Sequence, residues 1–302
     1  MIAPEMVTNP DDFGAGPSLS FVKDIQLMLW GLGDSHRPSI ATAQLIENIV
    51  IQQMFSLLSQ AQEIAELRES ASIGVQDILF LLRKDKIKIQ RLMNYLAVKD
   101  VHVKHAALDP LNGDSGKPSK RREICLDFLE YLGIEVTSDP PDAIKLERAA
   151  RADQMALTLS TRAYLDFHLS RRVTFGTSLD LLLELISSQY ETDFVVNNLA
   201  TDIILYLAKE TVAQLVDLAL LIRMDSQSSS DDPFTRASVL CNHAVNRKNI
   251  YGSANQQIEG PPAISPEEIQ EVIRRYWSTQ TFAFGSFTRN IDARIYEKLL
   301  AC

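Results

Sequence analysis

The stretch Ser72-Ile73-Gly74-Val75-Gln76-Asp77-Ile78-Leu79-Phe80-Leu81-Leu82-Arg83 has an echo near the end of the chain, Ala263-Ile264-Ser265-Pro266-Glu267-Glu268-Ile269-Gln270-Glu271-Val272-Ile273-Arg274. Ile73 matches Ile264, Asp77 matches Glu268, Ile78 matches Ile269, Leu82 matches Ile273 and Arg83 matches Arg274. Each phrase is an isolated β-branched residue, a helix start and a short amphipathic helix ending in Arg. Asp77 sits in a first turn, where negative charge favours the helix dipole. In the second copy Ser265 and Glu268 form a capping box, with Pro266 at the first helical position.

Each phrase lies downstream of one long apolar helix. Residues 39–67 contain no Gly or Pro, and at ~1.5 Å per residue such a helix is roughly 40 Å long. Its apolar residues, among them Leu45, Ile49, Val50, Met54, Leu57, Leu58 and Ala61, cover more than one stripe, so it is contacted from several sides. The second long helix is expected over residues 193–223, with Leu207, Leu215 and Leu218 facing a core. It holds the most apolar stretch of the chain, yet Asp202, Lys209, Glu210 and Asp217 interrupt that stretch, which excludes a membrane span. A short helix precedes each long one, the first beginning near Leu19 behind Ser18 or Ser20 and the second spanning residues 178–187. The unit short helix, long helix, loop, short helix therefore occurs twice, as expected of an element that pairs with a copy of itself.

The remainder is less regular. A helix over residues 86–96 carries Lys and Arg on one face. Residues 100–159 form a linker marked by Pro110, Gly113, Gly116 and Pro118, with helices expected over 123–132 and 143–159. Residues 1–17 read as a disordered lead, and 225–262 as a loop insertion with a short helix over 234–245. The domain division is thus 1–17, 18–99, 100–159 and 160–302.

With 302 residues, 46% of them hydrophobic, the chain can bury a substantial core. The net charge of −9 disfavours gripping a phosphate backbone, which needs clustered cations, and suits a basic protein partner. Cys125, Cys241 and Cys302 have neither zinc spacing nor an even count, so a reducing compartment is expected. Gly14-Ala15-Gly16 precedes a helix but lacks the strand and the Lys-Ser of a phosphate loop. His102 and His105 have no companion ligand, and His36, His168 and His243 have no nucleophile at an interpretable spacing. The sequence thus points to no enzyme, no cofactor, no metal and no small-molecule substrate.

Short helix, loop, long helix, strand-like loop, short helix resembles the histone fold. The implied class is all-α, with two histone folds in one chain paired head to tail. Leu32-Gly33-Asp34 with Arg37-Pro38, the run Asp77-Ile78-Leu79-Phe80-Leu81-Leu82-Arg83-Lys84-Asp85, and Tyr206-Leu207-Ala208-Lys209-Glu210-Thr211-Val212-Ala213-Gln214-Leu215-Val216-Asp217-Leu218-Ala219 resemble one family, the suppressor-of-Ty-three protein of the SAGA coactivator. The closing Leu300-Ala301-Cys302 is similar to its animal members. The resemblance covers about residues 19–104, 160–225 and 261–302.

The resemblance implies a non-enzymatic, nuclear coactivator subunit that engages the TATA-binding protein, supports RNA polymerase II preinitiation complex assembly and partners other SAGA-type subunits. The N-terminal half is similar to a small TFIID histone-fold subunit and the C-terminal half to that subunit's partner. A TFIID-like core subunit and a DNA-binding histone-fold protein are the alternatives; the charge argues against strong direct DNA binding. Pairing is expected to bury Ile49, Met54, Leu57, Ile73, Ile78, Leu82, Leu207, Leu215, Leu218, Ile264, Ile269 and Ile273. Ile73 and Ile264 are expected in the second loops, each beside the first loop of the opposite half. Histone folds often place in that second loop an Arg that pairs with the acid of the last helix. Ser70 and Pro261 stand there in this chain, and the Arg nearest to Ser70 is Arg68, so the sequence does not secure the supporting ion pair in either half.

Asp202, Lys209, Glu210 and Asp217 lie within about 100° of one another on a helix. They are either the solvent side of a mostly buried helix, or Asp202, Glu210 and Asp217 are an acidic contact for the TATA-binding protein. As surface acids they make Glu210→Lys a change of less than ~1 kcal/mol in stability. Lys117, Lys120, Arg121 and Arg122 read as a nuclear import cluster or a solvated linker. Phe282, Phe284 and Phe287 read as packing or as an aromatic anchor in a larger assembly.

Overall fold

Two copies of one three-helix unit, joined head to tail through their loops, form the centre of the molecule. In this computed structural model the described residues are 20–106, 120–134, 142–176, 179–227, 261–278 and 299–300. Among them the chain is all-α. The first unit comprises α1 (Val22–Leu32), α2 (Ile40–Leu67) and α3 (Val75–Leu82). Next come α4 (Lys86–Ala106), α5 (Lys120–Tyr131), α6 (Ala143–Thr158) and α7 (Thr161–Arg172). The second unit comprises α8 (Asp180–Tyr190), α9 (Asn198–Gln227) and α10 (Pro266–Ser278). Among the described residues no helix is long and apolar enough to cross a membrane.

Local chemistry sets several boundaries. Ser39 caps α2, its hydroxyl accepting from the Thr42 N–H at 3.4 Å. Gly33 ends α1 in a left-handed conformation (φ 114°), its N–H returning to Leu29 and Trp30 carbonyls, as helix C-termini favour. The capping box at α10 is reciprocal: Ser265 N–H donates to Glu268 Oε2 at 2.8 Å and Glu268 N–H to Ser265 Oγ at 3.3 Å. α4 continues to Ala106, beyond the expected end at residue 96, because its basic face finds partners on α9, described below.

The long helices α2 and α9 pack against each other, with α1, α3 and α10 packed on both and α8 on α2. Ile49, Met54, Leu57, Ile78, Leu82, Leu207, Leu215 and Ile269 are buried in one apolar cluster, with Leu218 and Ile273 half-buried against it. Aromatic contacts cross between the halves. Phe55 of α2 stacks on Tyr190 at the end of α8, ring centroids 3.9 Å apart, and meets Phe194 edge-on.

The loops interlock reciprocally. Ile73 N–H donates to the Val195 carbonyl at 2.8 Å, and Asn197 N–H donates to the Ile73 carbonyl at 2.9 Å, a short parallel bridge. At the opposite end Ile264 N–H donates to Asp34 Oδ1 at 2.8 Å, and Thr42 Oγ1 donates to the Ile264 carbonyl at 2.7 Å. Each second loop therefore inserts beside the first loop of the other half, and both isoleucines are buried. The tail seals one side: Leu300 N–H donates to Gln53 Oε1 at 2.9 Å, and Lys88 Nζ to the Leu300 carbonyl at 3.1 Å.

An Arg–acid pair is present in both halves, although neither Arg stands at the loop position where histone folds often carry it. Each comes instead from the C-terminal end of a long helix. Arg68 Nε and Nη2 donate to Asp77 Oδ1 and Oδ2 at 3.0 and 2.9 Å. Arg223 Nε and Nη2 donate to Glu268 Oε1 and Oε2 at 2.7 and 2.6 Å, while its Nη1 reaches the Pro262 carbonyl at 2.8 Å. Such bidentate pairs fix geometry as well as charge. Each one bridges the long helix to the start of the short helix beyond the loop, and so holds the buried isoleucine in place.

Ile73→Ala and Ile264→Ala are each expected to cost about 2–5 kcal/mol, the range for truncating a buried Ile. Urea unfolding followed by circular dichroism should show one shifted transition, not loss of half the signal. Burial alone would raise the Glu268 pKa, but the Arg223 hydrogen bonds, the Ser265 N–H and the Arg223 charge hold it below its ordinary value of 4.5. The resulting stabilisation is present above that value and is lost as pH falls through the lower folded-state pKa. The gap in urea midpoint between the native chain and Glu268→Gln should therefore be full at neutral pH and narrow as pH falls below about 4.5.

Candidate functional site

The charged sector of α9 is covered, not open. Asp202 and Glu210 are each 8% exposed, and Asp217 is half-buried. Two helices outside the duplicated unit supply the cations. From α4, Lys99 pairs with Asp202 and Arg91 Nη1 donates to Glu210 Oε1 at 3.1 Å. From α6, Arg148 Nη1 and Nη2 donate to Glu210 Oε2 and Oε1 at 2.9 and 3.0 Å, and its Nε to Asp217 Oδ2 at 2.7 Å. Arg151 Nη2 reaches Asp217 Oδ1 at 2.5 Å. Asp142, the N-cap of α6, completes the group by accepting from both Nε and Nη2 of Arg91.

The expectation that Asp202, Glu210 and Asp217 lie on a solvated face is therefore corrected, because α4 and α6 lie over them. The signal for this was present in the spacing. Arg91 and Lys99 are eight residues apart on α4, as Asp202 and Glu210 are on α9, and the pairs run antiparallel. Arg148 and Arg151 are one turn apart, matched to Glu210 and Asp217 two turns apart on α9. Pattern matching within single helices does not reveal such complementarity between helices.

The electrostatics follow from burial and pairing. Burial would lower the Arg148 pKa, but Glu210 and Asp217 together raise it well above the ordinary guanidinium value. Burial, with the nearby Glu210 charge, pushes the Tyr206 phenol up. Burial lowers Lys209 to about 8, helped by the Arg171 charge. Lys209 does not join the acidic sector. Its ammonium donates to the Arg171 and Val173 carbonyls at 3.0 and 2.7 Å, capping the C-terminus of α7.

The α6–α7 hairpin is anchored by Trp30, Ala152, Met155 and Phe167. α7 crosses α1 so closely that a Cβ on Gly31 would lie 2.9 Å from the Arg171 backbone N. A Cβ on Gly33 would lie 2.7 Å from Arg151 Cδ. These two glycines let the hairpin approach and present Arg148 and Arg151 to α9.

The other expected positions are scattered. Lys120 and Arg121 are in the first turn of α5, Arg122 is half-buried there, and Lys117 lies outside the described residues. Phe282, Phe284 and Phe287, the expected helix over 234–245, His243, Cys241 and Cys302 also lie outside them. His36 packs edge-on against Trp30, and His168 stacks on Tyr164. No metal-binding cluster occurs among the described residues.

The family model of the 18kD subunit of transcription initiation factor IID matches residues 19–108, which span α1 to α4. The similarity to whole proteins extends much further. The SAGA complex subunit Spt3 of Drosophila melanogaster is 25% identical over 97% of this chain and 75% of its own length. That of Schizosaccharomyces pombe is 27% identical over 86% of this chain and 90% of its own length. Along most of its length, then, the chain is similar to proteins named as Spt3. The TFIID subunit 13 of Arabidopsis thaliana is 36% identical, but over only 26% of this chain and 62% of its own length. These similarities are to histone-fold proteins of the transcription machinery, and the interlocked loops account for the two units being carried together in one chain.

Glu210→Lys is expected to destabilise by about 3–5 kcal/mol, because it removes a buried carboxylate and leaves the half-buried Arg91 and Arg148 facing a third cation. The correction from less than ~1 kcal/mol comes from the burial of Glu210. Chemical denaturation of Glu210→Lys and Glu210→Gln, with the glutamine variant less affected, is the check.

Proposed function

We propose that this chain is a structural, non-catalytic subunit of a SAGA-type coactivator in the nucleus, where it engages the TATA-binding protein and supports preinitiation complex assembly. The observation that carries this reading is similarity along nearly the whole chain to proteins named as SAGA subunits. The fold is in keeping with it: the two units satisfy each other's loops and long helices, so the chain needs no histone-fold partner from outside. Its remaining surfaces are available to other coactivator subunits.

In this proposal Asp202, Glu210 and Asp217 remain the contact for a basic partner, reached by exchange. Lys99 and Arg91 of α4 and Arg148 and Arg151 of α6 hold the carboxylates now, and a cationic surface of the partner takes their place. Charge complementarity of this kind governs orientation and association rate more than affinity. The second reading, a TFIID-like core subunit, is favoured by the match of residues 19–108. Co-purification separates them: acetyltransferase-module subunits are expected, and recovery with TFIID subunits alone supports the second. A DNA-binding role is disfavoured by the charge of −9 and predicts a salt-dependent DNA titration where a flat one is expected.

The direct test is biolayer interferometry of the full chain against purified TATA-binding protein, with cross-linking mass spectrometry of the complex. A saturable complex that weakens as salt rises is expected, with cross-links from α4, α6 and α9. Absence of a complex at micromolar concentrations overturns the proposal.

A further inference from the structure

A cavity of about 520 Å3 opens beside the acidic sector, between α1, α4, α6, α7 and α9, within the size range of ligand pockets. Its apolar surface includes Tyr95 and Tyr206, stacked with ring centroids 4.7 Å apart, and Val98, which is 57% exposed. Its charge is one-sided. Five cationic side chains line it against a single carboxylate, Glu210, and Glu210 is already held by Arg91 and Arg148. The exposed Lys145 and Arg171 make no ion pair among the described residues. Lys209 has three N–H donors, two of which serve backbone carbonyls of the α7 end.

A concave site with an aromatic wall and unpaired cations selects a ligand that is apolar in the middle and anionic at its edges. The chemistry is opposite to that of the acidic sector, with which the cavity shares Arg148 and Glu210, and an assay of the chain with an acidic peptide alone tests this site apart from the TATA-binding-protein contact. A nucleic acid fits poorly, because its backbone needs cations strung along an open face, whereas these converge on a space the size of a few side chains. We propose that the cavity is a docking pocket for an acidic protein segment, carrying a bulky apolar side chain flanked by carboxylates, from another subunit of the assembly. The apolar side chain packs against Tyr95, Tyr206 and Val98, and the carboxylates meet Lys145 and Arg171. Aromatic and arginine contacts of this kind concentrate binding energy in a few residues.

The test uses the full chain and a fluorescein-labelled peptide with a core of phenylalanine and leucines surrounded by glutamates, followed by fluorescence polarisation. Saturable binding that weakens with salt is expected. Combined Lys145→Glu and Arg171→Glu should weaken it by about tenfold or more, and Val98→Asp should do the same from the apolar side. All three residues are exposed, and circular dichroism checks that the variants keep their fold. Changing the peptide's glutamates to glutamines, or its phenylalanine to alanine, should reduce binding equally and leaves the protein untouched. The proposal is overturned by absence of saturable binding, or by binding indifferent to the peptide changes or to charge reversal in a folded variant. Displacement of the peptide by inorganic phosphate or by oligothymidylate, at matched ionic strength, overturns it in favour of a simple anion or nucleic-acid site.

Discussion

The reciprocal seating of Ile73 and Ile264 is the constraint on which the rest depends. Each isoleucine is buried in the second loop of its unit, and its backbone groups are satisfied by the opposite half. Buried backbone N–H and C=O groups need partners, so neither loop reaches its buried position unless the other half is present. The long helices then cross in the register that the loops dictate, and their multiple apolar stripes become one core. The two Arg–acid clamps, Arg68–Asp77 and Arg223–Glu268, brace the loops from behind and make the seating rigid.

On this frame the helices outside the duplication act as an electrostatic cover. α4 leaves the first unit and lies along α9 of the second, carrying Arg91 and Lys99 to Glu210 and Asp202. α6 adds Arg148 and Arg151. The acids that make α9 unfit for a membrane thus find cations within the same chain, at the cost of desolvating all of them. Such networks specify one arrangement more than they add stability. They also hold the hairpin at a fixed distance, so that the neighbouring cavity keeps its open, cation-rich wall.

Much of the fold was legible because it is written locally. The duplication, the two long helices, the capping box at Ser265 and the burial of Ile78 and Ile269 follow from periodicity and capping, which act over one or two turns. The Arg–acid clamps were obscured because Arg223 and Glu268 are separated by a long insertion, and because each Arg stands at a helix end, not in the loop. The acidic sector misled for a related reason. On a helix considered alone, four charges on one side describe a solvated face, and only the matched spacings on α4 and α6 reveal a covered one.

The sequence by itself determined that the chain is all-α and that it contains one element twice. Those properties depend on helix propensity, hydrophobic period and capping, which neighbouring residues set. The tertiary structure alone decided where the charges go. An ion pair depends on distance through space and on exclusion of water, and neither quantity exists until α4, α6 and α9 have packed together.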